Sequence, residues 1–168
     1  MPARPVHSTS TALAARAHAA QPYVIAAFRV IVALLFLCHG LAKLFGIFGG
    51  TNGSGGTVPV GAWPLWYAGL LEVVLGVLVM IGLGTRLAAL LLSGEMAYAY
   101  FSAHQSGGLW PLQNGGETAV LFCWIFLLLA FIGPGAFSVD HLIAERRRAD
   151  ADADAEADTG RDRRSSTT

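Results

Sequence analysis

Charged residues are scarce in this chain of 168 residues, where Asp, Glu, Lys and Arg make up 13% of the sequence. A soluble domain typically contains about 25% of these residues. The charges are also unevenly placed, since seven of the eleven acidic residues lie at or after Glu145 and six of the eleven basic residues at or after Arg146. The middle of the chain is therefore almost free of charge, which predicts a helical bundle in lipid rather than a soluble core.

Cysteine is nearly absent, with Cys38 and Cys123 as the two examples. They lie far apart inside apolar runs and form neither a CxxC pair nor a zinc spacing, so we interpret them as buried apolar residues and predict no metal site. A disulfide or redox role is the alternative.

The chain contains no haem ligation pattern and no flavin motif, which predicts no intrinsic cofactor. It also contains no basic patch, which indicates that nucleic acid is not a partner.

Long apolar runs dominate the rest of the chain. Four segments approach the ~20 residues that a helix needs to cross ~30 Å of hydrocarbon. They cover about residues 23–45, 63–83, 85–103 and 117–132. Helices are predicted because lipid offers backbone groups no hydrogen-bond partner and because the runs are too long for barrel strands. We predict an all-α integral membrane protein, a four-helix transmembrane bundle.

A short helix is predicted after the last of these segments, over the sequence SVDHLIAERRR. Ser138 is placed to cap its N-terminus, because serine hydroxyls accept hydrogen bonds from the first free N–H groups of a helix. Asp140 suits the positive end of the helix dipole in the first turn.

The chain divides into three parts. Residues 1–22 are expected to form a disordered cytoplasmic tail, with a short interfacial helix over Thr11–Ala20 as the alternative. Residues 23–143 form the transmembrane domain. Residues 144–168, which include the acidic run ADADADAEAD, are expected to form a second disordered cytoplasmic tail, because they contain too little apolar area to fold. A cleavable signal peptide is not expected, since Arg29 interrupts the first apolar run and no cleavage site follows.

The basic residues outside the apolar runs predict the orientation in the membrane. They lie before the first segment, in the tight turn between the second and third, and after the fourth: Arg4, Arg16, Arg86, Arg146, Arg147 and Arg148. The two longer loops contain no basic residue. Because basic loops stay on the cytoplasmic side, we predict a multi-pass protein with both termini in the cytoplasm.

Ionisable residues interrupt the apolar runs, where each costs roughly 2.5–3.5 kcal/mol at membrane depth. His39 and Lys43 are four residues apart and share one helix face. Arg29 projects within about 40° of that face at 100° per residue. Glu72 and Glu95 fall near the middle of the second and third segments. We expect these groups to face the bundle interior, with the three basic residues as the available partners of the two glutamates.

A second polar group, made of His104, Asn114 and Glu117, is predicted near His39 and Lys43 at the outer end. An interaction of Glu117 with the dipole of its own helix is the alternative.

Together these seven residues form the candidate site for ligand binding or proton relay: His39, Lys43, Glu72, Glu95, His104, Asn114 and Glu117. A packing role is the alternative, because buried charge pairs can simply specify how helices associate. Arg29 and Arg86 are predicted to be structural or to contact lipid phosphate at the cytoplasmic face. No catalytic residue is assigned.

Three blocks of the sequence resemble the DoxX family. The run FRVIVALLFLCHGLAKLFG resembles its opening, with the Arg, the HG pair and K-L-F-G. The block LLEVVLGVLVMIGLGTRLAALLLSGEM resembles its second and third helices, with a Glu in each and a short Gly-Thr-Arg turn between them. The block NGGETAVLFCWIFLLLAFIGPGAFSVDHL resembles its ending. The resemblance covers about Ala26 to Leu142.

The resemblance implies a four-helix protein of the bacterial inner membrane. The namesakes of the family are linked to thiosulfate:quinone oxidoreduction, and some relatives associate with redox-defence proteins. The first interpretation is therefore a membrane subunit of a redox system, with a bound quinone and soluble redox proteins as partners besides the bilayer. A non-catalytic anchor for soluble partners is the alternative, and a small transporter or proton path is a third. Whether the protein is an enzyme, and whether it forms a homo-oligomer, stays open.

Overall fold

Helices make up most of the chain. A computed structural model describes residues 7–165, and the side chains of residues 11–51 and 53–156. The helices are α1 (His7–Phe45), α2 (Leu65–Ile81), α3 (Thr85–Ala99), α4 (Pro111–Asn114), α5 (Glu117–Ile132) and α6 (Val139–Ser165). A π-helical turn, Tyr100–His104, prolongs α3, and short 3-10 turns cover Thr51–Gly53 and Gln105–Gly107. Residues 7–165 contain no strand, which confirms the all-α prediction.

Four of these helices, α1, α2, α3 and α5, form a bundle. α1 packs along α2, α3 packs along α5, and α2 and α3 form a hairpin. The core contains nearly fully buried side chains from all four helices, among them Phe36, Val79, Leu92 and Phe126. Phe126 of α5 meets the ring of Phe36 edge-on, with 4.7 Å between the ring centroids, so α1 and α5 also meet in the core.

The outside of the bundle is apolar. Many large apolar side chains on the outside of the bundle helices are half exposed or more, such as Leu35 (55%), Leu91 (52%) and Trp124 (66%). Monomeric soluble proteins rarely expose large apolar patches, so this surface fits a lipid environment. By length and composition, one described helix, Thr11–Phe45, can cross a membrane, and Leu65–Ile81 and Glu117–Ile132 are shorter apolar helices.

Both ends of the described chain are helical, although the sequence predicts disorder there. α1 begins at His7, and α6 has 27 residues and reaches Ser165 instead of ending as a short helix. The side chains of residues 11–24 and 141–156 are exposed, so core packing does not hold these segments. Alanine, the strongest helix former, is abundant in both, and its intrinsic propensity explains why helix continues there. Residues 1–6 and 166–168 of the expected tails lie outside the described residues.

Gly40 lets α1 approach α2 closely. A Cβ atom at this position would lie 2.9 Å from the Cβ of Glu72, from the carbonyl oxygen of Gly69 and from Cγ2 of Val73. Gly40→Ala is therefore expected to lower the free energy of unfolding by about 1–3 kcal/mol, as overpacking does. Reversible unfolding in mixed detergent micelles measures this change.

Gly94→Ala is the matched control for Gly40→Ala. Gly94 is also in a bundle helix, but a Cβ atom added there meets no atom of the surrounding structure within 4 Å. Alanine at this position is expected to stabilise the protein by about 0.5–1 kcal/mol, because it restricts the unfolded chain and suits a helix. Equal changes in the two variants would show that the approach of α1 to α2 does not require glycine at position 40.

Candidate functional site

The candidate site is a cavity of about 300 Å³ between α1, α2, α3 and α5, which we call the polar pocket. Four of the predicted site residues line it: His39, Lys43, Glu72 and His104. The remaining lining is mostly apolar and comes from Phe36, Met96, Ala99, Gly115, Thr118, Ala119 and Phe122. The pocket therefore combines a small number of convergent polar groups with apolar walls, which is the usual composition of a ligand site.

Lys43 and Glu72 form an ion pair in this pocket. Lys43 is the only lysine of the chain, and its Nζ donates a hydrogen bond to Oε1 of Glu72. The Glu72 side chain is 1% exposed and that of Lys43 is 20% exposed. The second carboxylate oxygen of Glu72 is buried and has no hydrogen-bond partner in the described part of the chain. That oxygen can accept a proton or a hydrogen bond from a ligand.

Glu95 lies near this pair without joining it. Together with Lys43 and Glu72 it lines a separate cavity of about 90 Å³. Both carboxylate oxygens of Glu95 are buried, and neither has a hydrogen-bond partner among the described residues. The structure thus brings the two predicted glutamates to one cavity but gives the amine to Glu72 alone. A carboxylate in such surroundings needs a proton or a cation to neutralise it.

The two histidines belong to different walls of the polar pocket. His39 on α1 packs edge-on against Phe122, with 5.8 Å between the ring centroids, and lies 6.5 Å from the ring of Phe36. His104 ends the π-helical turn after α3, and its Nδ1 lies 3.2 Å from the carbonyl oxygen of Asn114. His39 is therefore placed by aromatic contacts, and His104 by a polar contact with the loop before α5.

Asn114 shapes the loop that carries His104 but does not line the pocket. Its Nδ2 donates to the carbonyl oxygen of Gly108 at 2.8 Å and lies 3.3 Å from the hydroxyl of Tyr100. Its Oδ1 accepts a hydrogen bond from the N–H of Gly116 at 2.8 Å. Asn114 thus has a positioning role at the rim of the pocket.

Glu117 is not brought to the pocket. It is exposed in the first turn of α5, where its carboxylate suits the helix dipole. The adjacent residue Thr118 lines the pocket instead, and sequence reasoning missed it together with Phe36 and Phe122. Phe36 could have been predicted as a lining residue, because it lies three residues before His39 and therefore on the same helix face.

Arg29 lies at the opposite end of α2 from the polar pocket and is buried, with 1% of its surface exposed. Its Nη1 donates to the carbonyl oxygens of Val79 and Met80, each at 2.9 Å, and its Nη2 to that of Phe137 at 3.2 Å. The last carbonyls of a helix have no partner within the helix. Arg29 therefore helps to satisfy the C-terminus of α2, together with the N–H groups of Gly82 and Leu83. The expected contact of Arg29 with lipid does not fit this burial, whereas a structural role does.

Arg86 makes the equivalent contact with α5. Its Nη1 donates to the carbonyl oxygens of Ala130 at 3.0 Å and Phe131 at 2.7 Å. Arg86 is exposed, whereas Arg29 is buried. The two arginines therefore join the helix pairs α1–α2 and α3–α5 in the same way, one inside the protein and one at its surface.

Asp140 caps α3 rather than acting only on its own helix. Its Oδ1 accepts the N–H of Gly84 at 2.8 Å, and its Oδ2 accepts the N–H and the hydroxyl of Thr85 at 3.0 Å and 3.1 Å. Ser138 accepts the N–H of His141 at 3.2 Å through Oγ, which is the predicted cap of α6. The segment after α5 is thereby fixed to the turn between α2 and α3.

The stability of the protein should depend on pH through Asp140. Burial alone raises the pKa of this carboxyl, but hydrogen bonds from Gly84 and Thr85 and the charge of Arg29 hold the pKa below its ordinary value of 3.8. Because the pKa is lowered in the folded state, the stabilisation is present above the unfolded pKa and is lost as pH falls through the folded pKa.

Asp140→Asn is expected to lower the free energy of unfolding by about 1 kcal/mol near neutral pH, as loss of a helix cap does. The difference in the free energy of unfolding between wild type and Asp140→Asn should shrink once the pH falls below about 4. Detergent unfolding curves recorded across this range measure it, with the exposed Asp150→Asn on α6 as the control. Identical pH dependence in wild type and Asp140→Asn would contradict the assignment.

Comparison with known proteins gives a consistent family match. A family model described as DoxX matches residues 24–105. An uncharacterized protein of Haemophilus influenzae is 42% identical over 124 residues, which cover 72% of this chain and 91% of that protein. An uncharacterized membrane protein of Mycobacterium tuberculosis is 29% identical over 146 residues, which cover 79% of this chain and 88% of that protein. No solved structure matches the chain.

The matched region contains all four ionisable residues that line the polar pocket. It also contains Arg29, Arg86 and Glu95. The family match therefore extends over the part of the chain that supplies the ion pair, both histidines and the buried carboxylate.

Proposed function

The chain belongs to the DoxX family of membrane proteins, and we propose that it is a multi-pass subunit of a quinone-linked redox system in the bacterial inner membrane. The polar pocket carries this proposal. Two imidazoles and an ammonium–carboxylate pair converge there between aromatic walls. The family membership favours a membrane setting, and the pocket supplies the chemistry.

The residues of the pocket suit a flat ring with polar oxygens at its edge. His39 and Lys43 on α1 are hydrogen-bond donors, and donors are what carbonyl oxygens require. His104 lies on another wall. Because its Nδ1 donates to the carbonyl oxygen of Asn114, its Nε2 is an acceptor in the neutral ring, which suits a quinol hydroxyl. The rings of Phe36 and Phe122 offer apolar surface for an aromatic or quinonoid ring. A cavity of about 300 Å³ is at the small end of ligand pockets, which suits a head-group rather than a whole lipid. A bound quinone would supply the electron chemistry that the side chains cannot perform.

Protons are held by the chain itself in this proposal. The Lys43 ammonium can release one proton into the pocket, and the free carboxylate oxygen of Glu72 can accept one. Glu95 shares the 90 Å³ cavity with both residues and can store a further proton. The histidines orient the ring, Lys43 and Glu72 exchange protons with it, and Glu95 exchanges protons with that pair.

Bound quinone is the measurement that tests this function. Protein purified in mild detergent is extracted with organic solvent, and quinone per chain is quantified by mass spectrometry. His39→Phe keeps the ring and removes the nitrogens, so it should reduce the quinone content roughly tenfold or more, the effect of one lost hydrogen bond to a buried polar group. Glu117→Gln, outside the pocket, should retain it. A wild-type protein without quinone, or equal content in wild type and His39→Phe, would overturn the proposal.

The proposed orientation, with both termini in the cytoplasm, can be tested by labelling single cysteines in a background of Cys38→Ala and Cys123→Ala. Ser54→Cys lies in the exposed loop after α1, and Ala151→Cys lies on the exposed part of α6. In spheroplasts, a membrane-impermeant maleimide should label position 54 directly and position 151 only after permeabilisation, because basic flanks favour the cytoplasm. The reverse pattern would contradict the orientation.

A non-catalytic anchor is the second candidate function, and α6 favours it. Its 27 residues correspond to roughly 40 Å at 1.5 Å per residue, and residues 141–156 are exposed. The exposed part of α6 carries Arg146–Arg148, followed by alanines that alternate with acidic residues, and a soluble partner could bind there. If the anchor function holds, deleting residues 149–168 should abolish the cellular effect of the protein, and His39→Phe should not. The quinone function predicts the opposite result.

A further inference from the structure

A second cavity lies on the side of the bundle between α2 and α3. It has a volume of about 320 Å³ and is lined chiefly by Trp63, Tyr67, Leu71, Leu91, Glu95 and Tyr98. We call it the lateral groove. It shares no lining residue with the polar pocket, so it is a separate cavity. Of the residues used in the proposed quinone function, Glu95 alone lines it.

Three aromatic rings cluster in the lateral groove. The ring centroid of Trp63 lies 5.8 Å from that of Tyr67 and 6.5 Å from that of Tyr98. All three side chains are exposed, at 74% for Trp63, 44% for Tyr67 and 51% for Tyr98. The face of an aromatic ring is electronegative and attracts cations, most strongly when the ring is an indole and the site is dry. The rings therefore form a surface that favours a positively charged ligand.

Glu95 is the one charged residue that lines the groove. Both of its carboxylate oxygens are buried, and neither has a hydrogen-bond partner in the described residues. The charged groups that face it from neighbouring helices are Glu72 of α2 and Lys43 of α1, which pair with each other. A buried carboxylate without a cation of its own therefore lies in the wall of the groove, which also carries three aromatic rings.

We propose that the lateral groove binds an organic cation with apolar substituents, such as a quaternary ammonium, through Glu95 and the rings of Trp63, Tyr67 and Tyr98. A quaternary ammonium needs a negative charge and aromatic rings rather than hydrogen-bond acceptors, and the groove is lined by Glu95 and three rings. Leu71 and Leu91 provide apolar contact for the substituents. A hydrated metal ion does not fit, because calcium and magnesium require several oxygen ligands and the groove offers one carboxylate.

Benzyltrimethylammonium is a suitable probe, since it carries a fixed positive charge, one aromatic ring and no N–H group. Binding of the radiolabelled probe to the full-length protein in neutral detergent is measured by equilibrium dialysis. Glu95→Gln keeps the size of the side chain and removes its charge, so it should weaken binding roughly 30-fold or more, as loss of one partner of a desolvated charge pair does. Glu117→Gln removes a charge outside the groove and should leave binding unchanged.

The contribution of the rings is tested separately at Tyr98. Tyr98→Phe retains the ring and should bind the probe within about twofold of wild type, whereas Tyr98→Leu should weaken binding about threefold to tenfold. Because a proton and the probe compete for the Glu95 carboxylate, wild-type binding should strengthen as the pH rises, and binding to Glu95→Gln should not. This pair of tyrosine variants also keeps the proposal testable if Glu95→Gln proves unstable.

Equal binding by wild type and a folded Glu95→Gln would overturn the cation site. So would equally strong competition by neopentylbenzene, which has nearly the same shape as the probe without its charge. Quinone content measured on the same preparations separates the two sites. A cation-binding protein without quinone would refute the proposed function alone, and a quinone-containing protein without cation binding would refute the lateral groove alone.

Discussion

Lys43→Met is expected to lower the free energy of unfolding by about 3–5 kcal/mol, the largest effect of any single substitution considered for this protein. Glu72 is 1% exposed, and without the ammonium it would retain a buried negative charge with no cation. Methionine keeps most of the aliphatic stem of lysine, so the loss comes from the charge rather than from packing. Reversible unfolding in mixed micelles, followed by circular dichroism, measures the change.

The double variant Lys43→Met/Glu72→Gln provides the control for this prediction. A neutral amide at position 72 leaves no unpaired charge, so most of the lost stability should return. The coupling energy from the complete mutant cycle then isolates the ion pair from the separate effects of the two side chains. If the double variant is as unstable as Lys43→Met alone, the instability does not arise from an unpaired carboxylate.

Arg29→Met is expected to have the second largest effect, a loss of about 3 kcal/mol. Each hydrogen bond from a charged donor contributes roughly 1.5–3 kcal/mol, and those to the carbonyl oxygens of Val79, Met80 and Phe137 would be lost. The carbonyl oxygen of Val79 would keep the N–H of Gly82 as a donor. Burying the charged guanidinium is itself unfavourable, and the variant avoids this cost, which offsets part of the loss. The same detergent unfolding assay measures it.

Arg86→Met is the matched comparison for Arg29→Met. Arg86 also binds two carbonyl oxygens at the end of a helix, those of Ala130 and Phe131, but it is exposed, and water can take its place. Its loss should cost less than about 1 kcal/mol. Equal losses in the two variants would show that burial does not determine the strength of these contacts.

The helices of the bundle could be predicted from the sequence, because apolar runs of this length have few other solutions. Their ends were less predictable. α2 begins at Leu65 rather than Trp63, and α3 gives way to the π-helical turn at Tyr100. The turn changes which face carries His104, and hydropathy contains no signal for it. The helical extensions of α1 and α6 depend on alanine content rather than on apolar area, so a shortage of apolar residues does not predict disorder there.

The candidate site was predictable in its composition but not in its pairing. Glu72 and Glu95 were expected at similar depth, and Lys43 could have met either of them. The choice depends on which helix packs closest to α1, and the approach at Gly40 places α2 there. The partner of Asp140 could not be predicted either, because Thr85 lies 55 residues away in sequence. Local patterns predict a cap within the same helix and contain no information about such a distant one.

Because the only lysine of the chain lies in the polar pocket, its chemical modification can report on the state of that pocket. Every amine-directed acylation of a side chain must occur at Lys43, which is 20% exposed in the polar pocket and paired with Glu72. The extent of modification, read as a mass shift on one peptide, therefore measures how accessible the pocket is. An occupant that covers the ammonium will slow this reaction, so occupancy can be followed in native membranes without purification or knowledge of the ligand.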